Sequence, residues 1–363
     1  MNSHAHGGDL DELQRTRNID KEALLDFSSN INPLGFPDSV KKLLQNHLDI
    51  VTKYPDKSYI ALKESIANYT GADRGHIVVG NGATELISTF IGLIEKKSAV
   101  IVAPSYSEYE RELSLRACAY TYFPLLPEEN FLLDVQKLCS VITEEVGLLV
   151  LCNPNNPTGS VISQSELKRI LDHCQSTKTA LMIDETYIEF ADEMARLTAI
   201  PLTKEYDNLF VIRGTSKFFA CPGLRLGYGI SSNEAFLTHW ETHQNPWSVN
   251  SIAEFVGVHL FSESEFQNKT KQLIATERKK IIDTISKWRN CEIYPSHGNF
   301  VLIRLLSKKI TSNMIYEVCL ERQMVIRNAE SFETLDDSYL RFCILEEQQN
   351  DELLAILHTL IDG

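Results

Sequence analysis

Residues 148–159 read Leu-Leu-Val-Leu-Cys-Asn-Pro-Asn-Asn-Pro-Thr-Gly. Five apolar residues with no polar break suit a strand covered on both faces, not one with a wet side. Asn and Pro preset turn geometry, so the strand ends at Asn153. Ser163, with Glu166 three residues on, is a capping-box start for a helix over Ser163–Gln175. The same phrase recurs on either side. Ala180–Ile183 runs into Asp184-Glu185-Thr186-Tyr187, and Leu209–Ile212 leads to Thr215-Ser216-Lys217. Further out, Ile77–Val79, Ala99–Ala103 and Leu226–Ile230 are short apolar runs, with helix-like segments at Thr84–Glu95 and Tyr106–Cys118. Alternating strands and helices predict an α/β domain around a mainly parallel sheet.

After about Ser262 the pattern changes to one long charged helix reaching Trp288, with Lys269, Lys271, Arg278, Lys279 and Lys280 placed on its wet face. Cys291–Tyr294, Phe300–Leu305, Met324–Arg327 and Tyr339–Cys343 then read as strands of a smaller α+β domain. The expected division is residues 50–260 for the large domain, with residues 1–49 and 261–363 forming the small one.

Composition bounds the function. The 363 residues are 43% hydrophobic and 23% charged, with a formal net charge of −14. Such a surface repels phosphate backbones and anionic membranes, so neither nucleic acid nor membrane is an expected partner. An anionic ligand would need a local pocket of Arg, Lys or His. The eight cysteines form no C-x-x-C pair, which argues against a zinc ribbon, and no metal site is expected. His239 and His243 share a helix face, but Glu241 is one position away from the metalloprotease pattern. With no signal-like start and no long apolar run, the expected location is the cytoplasm.

Four polar segments follow strands in order: Asn153–Gly159, Asp184–Tyr187, Thr215–Lys217 and Pro222–Tyr228. Ligands of open α/β sheets bind at the carboxyl ends of strands, so these segments can meet in one cleft. A lysine, a buried carboxylate, ring-oxygen donors and an arginine are what a pyridoxal 5′-phosphate (PLP) site requires. Gly82-Ala83-Thr84, opening a helix after a strand, adds an anion site. A dinucleotide reading of Gly80–Glu85 lacks the third glycine and the acidic partner.

On these residues the chain resembles the fold type I PLP enzymes of the aminotransferase class I/II superfamily, over nearly its whole length. The resemblance implies a mainly parallel seven-stranded sheet in a large domain beside a smaller α+β domain. It implies that Lys217 bonds the cofactor covalently and that Asp184 pairs with the ring nitrogen. Asn156 and Tyr187 would bond the ring oxygen, Tyr106 would stack on the ring, and Ala83, Thr84, Ser216 and Arg225 would hold the phosphate. Tyr54 would reach into the site of a second copy, so a homodimer is implied. Where the family carries Ser or Thr three residues before the lysine, this chain has Gly214. That departure implies weakened or rearranged phosphate binding.

His6-Gly7-Gly8, Asp26–Gly35 and Lys217–Arg225 further resemble the threonine-phosphate decarboxylase family of cobalamin biosynthesis. That likeness implies decarboxylation of L-threonine O-3-phosphate to (R)-1-amino-2-propanol O-2-phosphate, with L-serine O-phosphate as a further or replacement substrate. The alternative is an aminotransferase, such as histidinol-phosphate aminotransferase, using 2-oxoglutarate and glutamate. In either case His6, Asn32, Asn156, Arg327 and Arg341 are the candidates for the substrate.

Overall fold

The computed structural model describes residues 7–363. The first strand is β1 (Leu25–Asp26), followed by β2 (Ile77–Gly80), β3 (Ser98–Ala103) and β4 (Ala119–Pro124). Next come β5 (Leu148–Cys152), β6 (Ala180–Asp184), β7 (Leu209–Gly214) and β8 (Gly227–Ile230). Strands β2–β8 form a seven-stranded sheet in the order β2-β8-β7-β6-β5-β3-β4. Its neighbours are parallel except where β8 runs antiparallel to β2 and β7.

The uninterrupted apolar runs are explained by two cores, one on each face. Alternate residues separate cleanly: Leu149, Leu151, Leu181, Ile183, Leu209 and Val211 face one cluster. Leu148, Val150, Met182, Phe210 and Ile212 face the other. The helix Gln164–Thr177 closes the first face with Leu167, Ile170, Leu171 and Cys174. Its start is the expected capping box, with Ser163 N–H donating to Glu166 at 2.8 Å. Helices Ala83–Leu93 and Glu108–Leu115 cover the second face with Leu86, Phe90, Tyr109 and Leu113. Truncating one such fully buried leucine to Ala costs roughly 2–5 kcal/mol.

The rest of the chain supplies β9 (Cys291–Ile293), β10 (Phe300–Leu305), β11 (Met324–Val325), β12 (Arg327–Asn328) and β13 (Tyr339–Cys343). Four of these make an antiparallel sheet, β12-β13-β10-β9, while β11 pairs in parallel with β1. The run expected as one strand over Met324–Arg327 is therefore split at Ile326 between two sheets. Strand β4 has no counterpart among the apolar runs, because Ala119-Tyr-Thr-Tyr-Phe-Pro124 is a half-exposed edge strand. The long helix spans Ser264–Ile285, and one of its supposed wet residues is buried. Arg278 is 4% exposed and donates to the Phe190 and Gly298 carbonyls and to Asp192. No helix among the described residues is long and apolar enough to cross a membrane.

Candidate active site

The carboxyl ends of β5, β6 and β7 open into a cavity of about 210 Å³. Cys152, Asp184 and Ile212 are register partners there, so the three strands deliver their following segments to the same level. Of the expected residues, Ala83, Thr84, Tyr106, Asn156, Asp184, Tyr187, Ser216, Lys217, Arg225, Arg327 and Arg341 all line the cavity. Tyr54 lies apart from it, 80% exposed, its ring 4.7 Å from that of Trp247. His6 falls outside the described residues.

Asn32 is not in the lining. Its amide nitrogen donates to the Phe218 carbonyl at 2.7 Å and to the Thr270 hydroxyl at 2.8 Å, and its oxygen accepts the Leu34 N–H. Its own N–H donates to the Lys217 carbonyl at 3.0 Å. With its polar atoms engaged in this way, Asn32 fastens the lysine loop instead of meeting a substrate.

Lys217 is half-buried, and its amine donates to the Ser29 carbonyl at 2.7 Å. Burial, followed by the nearby Arg341 cation, pushes its pKa down to about 8. Asp184 is buried, which raises its pKa, while hydrogen bonds from Thr186 and Tyr109 oppose the rise. The next residue, Glu185, points to the other side of the sheet, where Arg213 donates to it at 2.8 Å.

Beside the start of helix Ala83–Leu93, three glycines align across the sheet. Gly80, Gly227 and Gly214 are successive register partners across β2, β8 and β7. A Cβ on Gly227 would lie 2.6 Å from the Ala83 nitrogen, so the glycine lets the start of helix Ala83–Leu93 settle against the sheet. Gly82 caps that helix at φ +80°, and a Cβ there would fall 2.5 Å from Nη2 of Arg225. The start of that helix, Thr84, Ser216 and Arg225 thus line the same cavity, where a helix N-terminus favours an anion. Thr215 does not replace the hydroxyl missing at Gly214, because its Oγ1 donates to the Leu226 carbonyl at 3.1 Å.

Of the three asparagines in the Asn153–Gly159 loop, only Asn156 lines the cavity. Asn153 and Asn155 spend their amides on Ile162, Leu197, Pro104 and Thr158 and so hold the loop. Asn156 Oδ1 accepts a hydrogen bond from Nη1 of Arg341, whose Nη2 donates to the Ser28 carbonyl at 2.5 Å. The Arg341 Nε is buried without a partner among the described residues. Arg327 and Arg341 are direct register partners between β12 and β13. Phe332 lies beside both guanidinium carbons, at 5.4 and 5.8 Å.

Several contributors escaped the sequence reading. Tyr109 could have been found, since it lies three residues after Tyr106, on the same face of a helical turn. Gly7 and Ser28 line the cavity from within the His6–Gly8 and Asp26–Gly35 segments, although neither was singled out as a site residue, and Phe332 arrives through long-range folding, for which no local signal exists.

A model of the aminotransferase class I and II family matches residues 22–357. The chain belongs to that family. Among relatives of this aminotransferase-family chain, one from Caldanaerobacter subterraneus, provisionally named threonine-phosphate decarboxylase, is 37% identical and covers 100% of this chain and 95% of its own. Threonine-phosphate decarboxylase from Salmonella typhimurium is 33% identical, covering 99% and 97%. The solved structure of histidinol-phosphate aminotransferase from Clostridium acetobutylicum superposes with a TM-score of 0.86 at 35% identity, covering 93% and 98%. A further group of relatives, 26 to 28% identical, is also named histidinol-phosphate aminotransferase. The protein is accordingly an aminotransferase/decarboxylase-class enzyme whose cofactor is PLP, and the helix start at Ala83 beside Arg225, with the half-buried lysine, fits that group.

Proposed function

We propose that the enzyme decarboxylates a small amino acid bearing a phosphate, with threonine phosphate as the first candidate and serine phosphate as the second. The observation that carries the substrate class is the opposed pair Arg327 and Arg341 on the cavity wall. In a chain of net charge −14, two cations set face to face are suited to a ligand with two anionic groups.

In this reading Lys217 would carry the cofactor and deliver the proton that replaces the departing carboxylate at Cα. Asp184 keeps the ring nitrogen protonated, Asn156 and Tyr187 serve the ring oxygen, and Tyr106 covers the ring. The Gly82–Thr84 turn, Ser216 and Arg225 hold the phosphate. When bound, PLP supplies the electron sink for the bond that breaks. The protein chooses the bond by orienting the substrate, and remote contacts from Arg327 and Arg341 supply that orientation. His6 is retained as a candidate for the substrate phosphate. Tyr54, exposed beside Trp247, is proposed to complete the site of a second copy in a homodimer.

Transamination is the second reading, and it has the wider support among the named proteins. The solved structure at 35% identity and the group at 26 to 28% all carry the aminotransferase name. Decarboxylation has the higher identities among curated relatives. The two separate in one assay of the PLP-loaded enzyme with threonine phosphate. Decarboxylation releases carbon dioxide and an amino alcohol phosphate with no keto acid consumed. A requirement for 2-oxoglutarate, with glutamate formed from histidinol phosphate, would establish the second reading instead.

A further inference from the structure

The Asp184 carboxylate is held from two sides. Oδ1 accepts the Thr186 N–H at 2.9 Å and the Thr186 hydroxyl at 2.5 Å, and Oδ2 accepts the Tyr109 phenol at 2.8 Å. Tyr109 is 1% exposed and stands in the first turn of helix Glu108–Leu115. Its ring packs edge-on against Tyr106, with centroids 5.7 Å apart. If only apolar filling were needed there, Phe would do it without burying a hydroxyl. We propose that Tyr109 is a positioning residue, which holds the Asp184 carboxylate ionised and in one orientation so that it keeps the PLP ring nitrogen protonated.

Each carboxylate oxygen can accept two hydrogen bonds, so the phenol takes one site on Oδ2 and leaves one for a ligand. The titratable groups facing Asp184 are Tyr106 and Tyr109, Cys152 at the end of β5, and Tyr187 in the following turn. Burial raises the pKa of all four and keeps them neutral. Hydrogen bonds are therefore what favour the charged carboxylate at this buried point.

The test uses PLP-loaded Tyr109→Phe and a variant with 3-fluorotyrosine at position 109. The visible absorption band of the loaded enzyme titrates with the Lys217–cofactor linkage, and a positive ring holds its midpoint down. Loss of the phenol weakens Asp184 as partner of the ring. The Phe variant should therefore titrate about one pH unit higher, with kcat reduced about tenfold and KM changed little. The fluorinated phenol is the stronger donor and should move the midpoint the other way, which keeps the test available if the Phe variant fails to fold. A filling role would lower thermal stability and leave the midpoint in place. An unmoved midpoint, or shifts of the same sign in both variants, overturns the proposal. Neither result depends on which amino acid the enzyme consumes.

Discussion

Arg327 and Arg341 stand directly opposite each other in the antiparallel ladder of β12 and β13. Like charges in that relation repel, by roughly 0.2–1 kcal/mol. Here the repulsion is felt as a lowered pKa: Arg327 is pushed down to about 10 by burial and by Arg341. Phe332 partly offsets the cost by lying against both guanidinium groups. Arg327→Gln should therefore stabilise the substrate-free enzyme slightly and raise the KM for a phosphorylated substrate about 10- to 100-fold, through loss of a charged hydrogen bond. Thermal melts with and without inorganic phosphate, alongside initial rates, check both halves. A variant with unchanged KM would remove Arg327 from the substrate site.

Lys217 must be neutral to attack the cofactor aldehyde. Burial and Arg341 hold its pKa at about 8 instead of 10.5. The rate at which apoenzyme takes up PLP should thus climb with pH, reach half its maximum near 8, and level off above. Arg341→Gln removes a repelling cation and should shift that midpoint upward. Lys217→Ala should show no visible band at any pH. Stopped-flow absorbance reads all three, and a rate still climbing steeply above about pH 10 would place the lysine in solvent, as for an unperturbed amine.

The legible part of this protein was the part written in local patterns. Leu148–Cys152, Ala180–Ile183 and Leu209–Ile212 announced themselves because both faces of each strand are buried. The edge strand Ala119–Pro124 did not, since half exposure leaves no apolar run. Arg278 looked like a surface charge, because nothing in a helix sequence reveals that Asp192 and two carbonyls wait for it. Asn32 was placed with the substrate on resemblance, yet its amide is spent on Phe218 and Thr270. The Asn32 contacts lie 186 and 238 residues away in sequence and those of Arg278 between 20 and 88, all beyond the reach of periodicity.

Gly214 offers a different kind of test from Gly82 and Gly227. A Cβ there would meet nothing nearer than the Ala83 Cβ at 3.7 Å, with Ser216 Oγ at 3.9 Å, so a side chain fits. Gly214→Ser should fold normally and add a hydroxyl close to the proposed phosphate cradle. One added hydrogen bond of about 1 kcal/mol corresponds to roughly fivefold tighter PLP binding. Gly82→Ala and Gly227→Ala should do the opposite, since their added carbons would fall within 2.6 Å of Arg225 and of the helix start. Equilibrium PLP titrations followed by absorbance compare the three. Equal losses in all of them would mean that the cradle lies elsewhere.

Behind the active site, Glu185 and Glu189 share the single buried cation of Arg213, at 2.8 and 3.6 Å. The Glu189 Oε2 has no partner among the described residues, and burial pushes the pKa of this carboxyl up to about 7. The folded state thus holds the proton more tightly than the unfolded chain, where the group titrates near 4.5. Its contribution to stability is complete below that value and is lost as pH rises through about 7. Glu189→Gln cannot ionise and should escape the loss, gaining about 1–3 kcal/mol over the wild type at pH near 8.5. At pH near 5 the two proteins should differ little by the same linkage. Denaturant unfolding at both pH values measures the difference directly. If the wild-type and variant stabilities run parallel across that range, Glu189 is already ionised in the folded protein and Arg213 neutralises both carboxylates by itself.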